Sequence, residues 1–363
     1  MRKLNDAVLA GLCAGGLLVC GCAQTGGDVR SKPLTQPKLL LELPDICPTP
    51  DGMAMDRAGN IILACPNYAE KHAKPAVFMK IDKRNQVSLY ATCPVLAKTG
   101  VACPMGIDFG PDGGLYVCDN QGWPGTEIGK DQGRILKLTI RNGHVTRTEI
   151  VACGMSHPNG VKYKDGKLYV TQSLLPKIKS KELVSALYRF EASDREVKVN
   201  NDASDRNLLI QYKTHNMACQ YGLDGLVFDS QGNLFVGNFG DGSVHKITFD
   251  GKGNVASNKL FAKSPNMRTT DGMCVDEKDN IYVADFSENA ICRVSPRGKV
   301  AIVAKSSDTN GADGGLDQPG EPIARDGKLI ISNFDMVTGP DKVNTKHDKP
   351  YTMSVIDLNT VKR

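Results

Sequence analysis

The feature that most constrains this chain is a unit that returns six times. In its fullest form it begins with Asp-Gly, continues through alternating apolar residues to a turn, and enters a second apolar run. Asp51-Gly52-Met53-Ala54-Met55-Asp56 leads through Ala58-Gly59-Asn60 to Ile61-Ile62-Leu63, and Asp271-Gly272-Met273-Cys274-Val275-Asp276 leads to Ile281-Tyr282-Val283. Copies starting at Met105, Asn159 and Asp224 keep the same order, and a degenerate sixth runs from Gly320-Glu321-Pro322-Ile323 to Leu329-Ile330-Ile331. Period-two alternation, a glycine turn and a β-branched run together read as a hairpin. Weaker strands follow each hairpin, as in Ala290 to Val294 and Val300 to Ala304, making four strands per unit at a spacing of about 50 residues. The expected fold is all-β: a six-bladed β-propeller over residues 38–363. Lys38 to Leu43 precedes the first copy as Lys259 to Ala262 precedes the fifth. The N-terminal strand is therefore expected to complete the last blade, whose third strand, Thr352 to Leu358, ends the chain.

Composition narrows the setting. Forty per cent of 363 residues are hydrophobic, enough for a large core, and no internal apolar run is long enough to span a bilayer. Forty-five basic residues against 40 acidic ones give no reason to expect nucleic acid as a partner. Arg2 and Lys3 precede an apolar stretch that ends in Val19-Cys20-Gly21-Cys22, which predicts a signal peptide over 1–21. Gly21-Cys22 resembles the lipobox of bacterial lipoproteins, which implies lipidation at Cys22 and a flexible tether over 22–37. The expected location is the periplasm or cell surface, with membrane contact only through that anchor, or secretion if the box is not used. Nine cysteines follow Cys22, and an oxidising compartment is expected to pair some of them. Cys47, Cys103, Cys153 and Cys219 precede unit starts and Cys274 lies inside one, so any bridges are expected around one mouth.

The repeat also places chemistry. In a propeller the innermost strand of each blade lines the central channel, and its first residue lies at one mouth. Asp51, Met105, Asn159, Asp224, Asp271 and roughly Glu321 hold that place. Carboxylates converging on one point need a compensating cation or protons. An oxygen-only donor set favours Ca²⁺ over Zn²⁺. Asp-Gly and Asn-Gly also serve in ordinary turns, where the side chain only bonds nearby amides. Asp56, Asp229 and Asp276, five residues later, read as turn-formers at the far end of the hairpin.

The stretch Asp271-Gly272-Met273-Cys274-Val275-Asp276, with Asn280-Ile281-Tyr282-Val283-Ala284, resembles the senescence-marker protein (regucalcin)/gluconolactonase-like family of six-bladed propellers, related to the paraoxonases. The resemblance runs from about Leu39 to Asp335 and is specific only at the blade starts. It implies one divalent cation, usually calcium, in the channel mouth, and hydrolysis of lactones or related esters. It makes Asp51, Asn159, Asp224 and Asp271 metal ligands and Asp271 the general base. His157 falls where regucalcin-like members carry a substrate-binding Arg. The family usually has Asn at the place of Asp224 and Glu at that of Asp51. A register shifted by one blade would use Glu321 with Asn159 and Asp224 instead.

Two function classes follow. In the first, a small lactone or ester is hydrolysed by a cation-polarised carbonyl and a water activated by Asp271, His157 or His215. No G-x-S-x-G elbow supports a serine hydrolase. In the second, the propeller is a non-catalytic binding scaffold pinned by the same ion. A condensing activity like that of strictosidine-synthase-like propellers lacks an identifiable glutamate here. Long insertions at 119–133 (with the single Trp123), 172–184, 192–215 and 334–350 are candidates for pocket or docking surface.

Overall fold

A computed structural model describes residues 34–67 and 74–361, so the expected signal peptide, Cys22 and His72 lie outside the described residues. Six sheets, antiparallel except for one short edge strand, account for nearly all of the regular structure. The first blade is built from Met53–Met55, Ile61–Cys65, Val77–Ile81 and Val87–Thr92. The second uses Pro104–Phe109, Leu115–Asp119, Gly133–Arg141 and His144–Met155, extended by Val197–Lys198, which pairs in parallel with Ala152 and Cys153. The third comprises Pro158–Lys164, Lys167–Gln172, Leu183–Glu191 and Leu208–Thr214. Part of the expected insertion at 192–215 is thus this blade's outer strand. Leu223–Phe228, Leu234–Asn238, Ser243–Phe249 and Val255–Lys263 form the fourth blade. Met273–Val275, Ile281–Asp285, Ala290–Val294 and Val300–Lys305 form the fifth.

The last blade contains Pro319–Arg325, Lys328–Asn333 and Thr352–Asp357, and its outer place is taken by Lys38–Glu42, which runs antiparallel to Thr352–Asp357. Thr35 N–H already donates to Val303 O, so propeller contacts begin within the stretch expected as tether.

Six apolar layers hold the blades together, one between each adjacent pair. Ala54, Ile62 and Phe78 of the first blade pack on Ile107, Leu115 and Leu136 of the second, and Met53, Ile61 and Met79 face Ile330 and Met353 of the last. Each blade is therefore covered on both faces. That is why second strands such as Ile61–Cys65 and Ile281–Asp285 are buried along their whole length and apolar up to the residue that ends them. The expected turn-formers do bridge turns: Asp56 Oδ1 accepts from the N–H groups of Ala58 and Asn60, and Asp229 and Asp276 repeat the pattern.

The glycine of the repeat has a different role. Neither Gly106 nor Gly225 adopts the left-handed backbone of a turn glycine. A Cβ on Gly106 would lie 2.6 Å from Asn159 O and 2.8 Å from Gly160 Cα, and one on Gly225 would lie 2.9 Å from Gly272 Cα. Inner strands of successive blades touch backbone to backbone at this level, and in the five complete copies only glycine fits between them. The sixth copy departs in register. Pro322 pairs with Ile331 as Leu226 pairs with Val236, which sets Gly320 at the first-residue place and Glu321 at the glycine place. Glu321 is thus not the sixth copy's equivalent of Asp51 and Asp271, because its blade starts one residue earlier.

No disulfide forms among the described cysteines; each of the nine is a thiol. The expected bridges are absent even where cysteines share a layer, as Cys47 and Cys65 do. The Cys65 and Cys47 thiols meet in a hydrogen bond inside the layer between the last and first blades.

Gly106→Ala is expected to destabilise the fold by about 1–3 kcal/mol through overpacking at the axis. Gly251→Ala, with nothing within 4 Å of the added carbon, is expected to stay within about 0.5 kcal/mol of the parent. Urea denaturation of the two variants checks the contrast.

Candidate functional site

A cavity of about 220 Å³ opens where the blade starts converge. Its lining includes Asp51, Met105, Asn159, Asp224 and Asp271, which are the first residues of five successive repeats. Their backbones are held before any ligand arrives. Ser332 Oγ donates to Asp51 O at 2.8 Å, and Thr171 Oγ1 donates to Asp224 O, so a hydroxyl on one blade fixes the start of the next. Asp51 and Asp271 donate their N–H groups to Ala64 O and Ala284 O.

The side chains crowd. Asp51, Asn159 and Asp224 are buried, and Asp271 is partly open to the cavity. Asn159 Nδ2 donates to Asp224 Oδ2 at 2.8 Å and to Tyr221 Oη at 3.3 Å. Asp224 and Asp271 hydrogen-bond to one another through their carboxyls, so one of them carries a proton when no cation is present. Burial pushes Asp51 up to about 7. Burial, reinforced by the charge of Asp51, pushes Asp224 up to about 8, against the lowering effect of its hydrogen bonds to Asp271 and Asn159. Asp271 is raised well above the usual carboxylate range by burial and then by Asp224 and Asp51. Three acids held this unwillingly form a donor set suited to a hard divalent cation.

Lys162 follows Asn159 on the same inner strand. Burial disfavours its charge, yet Asp108 and Glu321 outweigh that and raise it. Glu321, pushed up to about 8 by burial, is held down in part by Lys162. The structure thus sets Glu321 beside a lysine, outside the cavity lining that gathers the other four predicted ligands.

His157 also lies outside that lining. Its ring packs against Gly122, and burial lowers its affinity for a proton. His215 is exposed and bonded to Glu182 Oε1 at 2.7 Å, on the outer surface. Of the cysteines, Cys219 alone among those described lines the cavity.

The cavity wall is aromatic. Tyr221, Phe239, Phe286 and Phe334 form a chain of ring contacts with centroids 5.1 to 5.8 Å apart, and Trp123 meets Tyr221 edge-on at 5.8 Å. Thr338 and Lys342 complete the rim, so of the long insertions those at 119–133 and 334–350 reach the mouth. The phenylalanines escaped the sequence reading although a signal was present. Asn238-Phe239, Asp285-Phe286 and Asn333-Phe334 close the second strands of three consecutive blades, a periodic pair as regular as the blade starts.

No family model matches the sequence, and no curated protein is detectably similar to it. Solved structures do match in fold. Regucalcin from Agrobacterium tumefaciens, a calcium-binding protein, is 11% identical with a TM-score of 0.56, over 89% of this chain and 93% of that one. A gluconolactonase from Xanthomonas campestris is 12% identical with a TM-score of 0.53, over 90% and 99%. The PQQ-bound aldose sugar dehydrogenase of Streptomyces coelicolor is 14% identical with a TM-score of 0.54, over 88% and 97%. At such identities the likeness establishes the six-bladed fold these proteins share, and the differing chemistries of the three show that the fold does not select among them.

The raised carboxyls give a signed expectation. Their folded-state values lie above the unfolded value near 4, so the stability they contribute is full below that value and is lost as pH rises through about 7 to 8. In chelator, the thermal midpoint is expected to fall between pH 5 and pH 8.5, and Asp224→Asn is expected to reduce that fall. Melting curves across that pH range check both.

Proposed function

We propose that the chain is a divalent-cation-dependent hydrolase of a lactone or related ester, working at the channel mouth. The carrying observation is the convergence of Asp51, Asn159, Asp224 and Asp271 on the floor of one cavity whose wall is aromatic. The names of two fold neighbours, a gluconolactonase and a calcium-binding regucalcin, point the same way. Asp51, Asp224 and Asp271 would hold the cation by carboxylate oxygens and Asn159 by its amide oxygen, since its Nδ2 already faces Asp224. A divalent cation held there would supply Lewis-acid polarisation of the substrate carbonyl and stabilisation of the oxyanion that develops from it.

The chain's own groups do the rest. Asp271, partly open to the cavity, is placed to accept a proton from water as the water oxygen bonds to the carbonyl carbon. Cleavage of the ester C–O bond then returns that proton to the departing alkoxide, so acid and alcohol leave in balance. Trp123, Tyr221 and the three phenylalanines exclude water from one side and favour a substrate with an apolar or aromatic arm. The basic head and the Val19-Cys20-Gly21-Cys22 box support export and lipid anchoring at Cys22, which would place this chemistry outside the cytoplasm.

The test is a panel of sugar lactones, acyl lactones and aryl esters, assayed with calcium and after chelation. Turnover is expected to vanish on chelation and to fall at least about 100-fold in Asp271→Asn. Phe286→Ala is expected to raise KM for substrates with an aromatic arm while leaving kcat nearly unchanged. Absence of turnover across the panel would leave a binding scaffold as the better account, and turnover indifferent to chelator and to Asp271→Asn would move the hydrolysis away from this cation site.

A further inference from the structure

We propose that Asp317, Asp335 and Asp348 bind a second hard divalent cation, distinct in every ligand from the mouth, which fastens the 334–350 loop to the last blade. These residues lie far apart in sequence and meet at the strand ends of one sheet. Asp317 stands just before the inner strand Pro319–Arg325, Asp335 follows Lys328–Asn333, and Asp348 precedes Thr352–Asp357. One carboxylate oxygen from each comes within 4.8 Å of the others.

Asp317 carries the argument beyond proximity. It is 1% exposed, and its Oδ1 has no hydrogen-bond partner. Its backbone N–H is satisfied by Asn333 Oδ1 at 3.2 Å, so the residue is held in place while its carboxylate is left to face the other two acids. A buried carboxylate oxygen without a donor is costly, and two further acids beside it increase that cost. Asp335 Oδ2 receives Asp348 N–H at 3.2 Å and lies 3.2 Å from His347 Nδ1; Asn344 Nδ2 reaches Oδ1 at 3.4 Å. Among the described residues no lysine or arginine forms an ion pair with any of the three acids. The lack of a lysine or arginine partner among the described residues, the oxygen-only donors and the orphaned Oδ1 together describe a site for a cation such as Ca²⁺, its coordination completed by water or carbonyl oxygens.

The site would have mechanical work to do. The 334–350 loop brings Phe334, Thr338 and Lys342 to the mouth. It is tied down elsewhere by Val343 N–H on Ser287 O and by Thr345 on Asp308. A cation at Asp335 and Asp348 would hold its two ends together over Asp317.

Calcium binding to the full chain, measured by calorimetry after exhaustive chelation, tests this independently of the mouth. Two equivalents are expected in the parent. One should survive in Asp224→Asn/Asp271→Asn, and trypsin cleavage after the exposed Lys346 should be suppressed by calcium in both proteins. Asp317→Asn, and the half-buried Asp348→Asn in case the former fails to fold, should each lose one equivalent and the calcium-dependent protection. If the mouth reading alone is wrong, the parent binds one equivalent that Asp348→Asn removes and the mouth variant keeps. The proposal is overturned if the mouth variant binds no calcium, or if Asp348→Asn binds as much as the parent. Shared protons would then be what relieves the three acids.

Discussion

The closeness of the inner strands at the axis is the constraint on which the rest depends. Gly106 and its equivalents allow backbones of adjacent blades to meet, and the residue before each glycine is thereby delivered to the common mouth. A bulkier residue at any of these five glycines would meet the neighbouring backbone, widen the ring and separate the acids. Fold and site are therefore one geometric fact: the packing that closes the propeller also compresses three carboxyls and an amide into a single cavity.

That compression has an electrostatic consequence. Hydroxyls of Ser332 and Thr171 and the strand pairings hold the backbones of Asp51 and Asp224, so the acids cannot retreat from one another by shifting the chain. They relieve repulsion only by protonation or by a counter-charge. Lys162 provides a counter-charge for Asp108 and Glu321, further along the inner strands, and leaves the mouth acids to a ligand. The layering explains why Glu321, attractive by composition, belongs with the lysine.

Much of this was legible in the sequence, and the reasons for success and failure differ residue by residue. Blades were readable because strands covered on both faces must be apolar throughout, and six copies repeat that demand. Asp51, Asn159, Asp224 and Asp271 were readable because equivalent positions in a closed ring must converge. The role of the glycine stayed open, since a close approach between blades leaves the same dipeptide as a turn. The sixth start was misplaced by one residue because its copy lacks the glycine that sets the frame. Cysteine pairing depends on inter-blade distances, which no spacing encodes. Asp317, Asp335 and Asp348 have no periodic signal at all and meet only through the topology of one sheet. Phe239, Phe286 and Phe334 had such a signal and were overlooked because it sits at strand ends, where attention goes to the turn.

The pairing of Lys38–Glu42 with Thr352–Asp357 has a further meaning. More than any other contact it spans nearly the whole described chain, so its loop-closure cost falls late and is met only by the cooperative gain of a finished ring. The mouth draws residues from every blade, with its acids and amide from the first, third, fourth and fifth, and these converge only when the circle is complete. Ligand affinity thus becomes a report on the integrity of the entire molecule: a partly assembled chain has blades but no site, and whatever binds at the axis selects for closed rings over open ones.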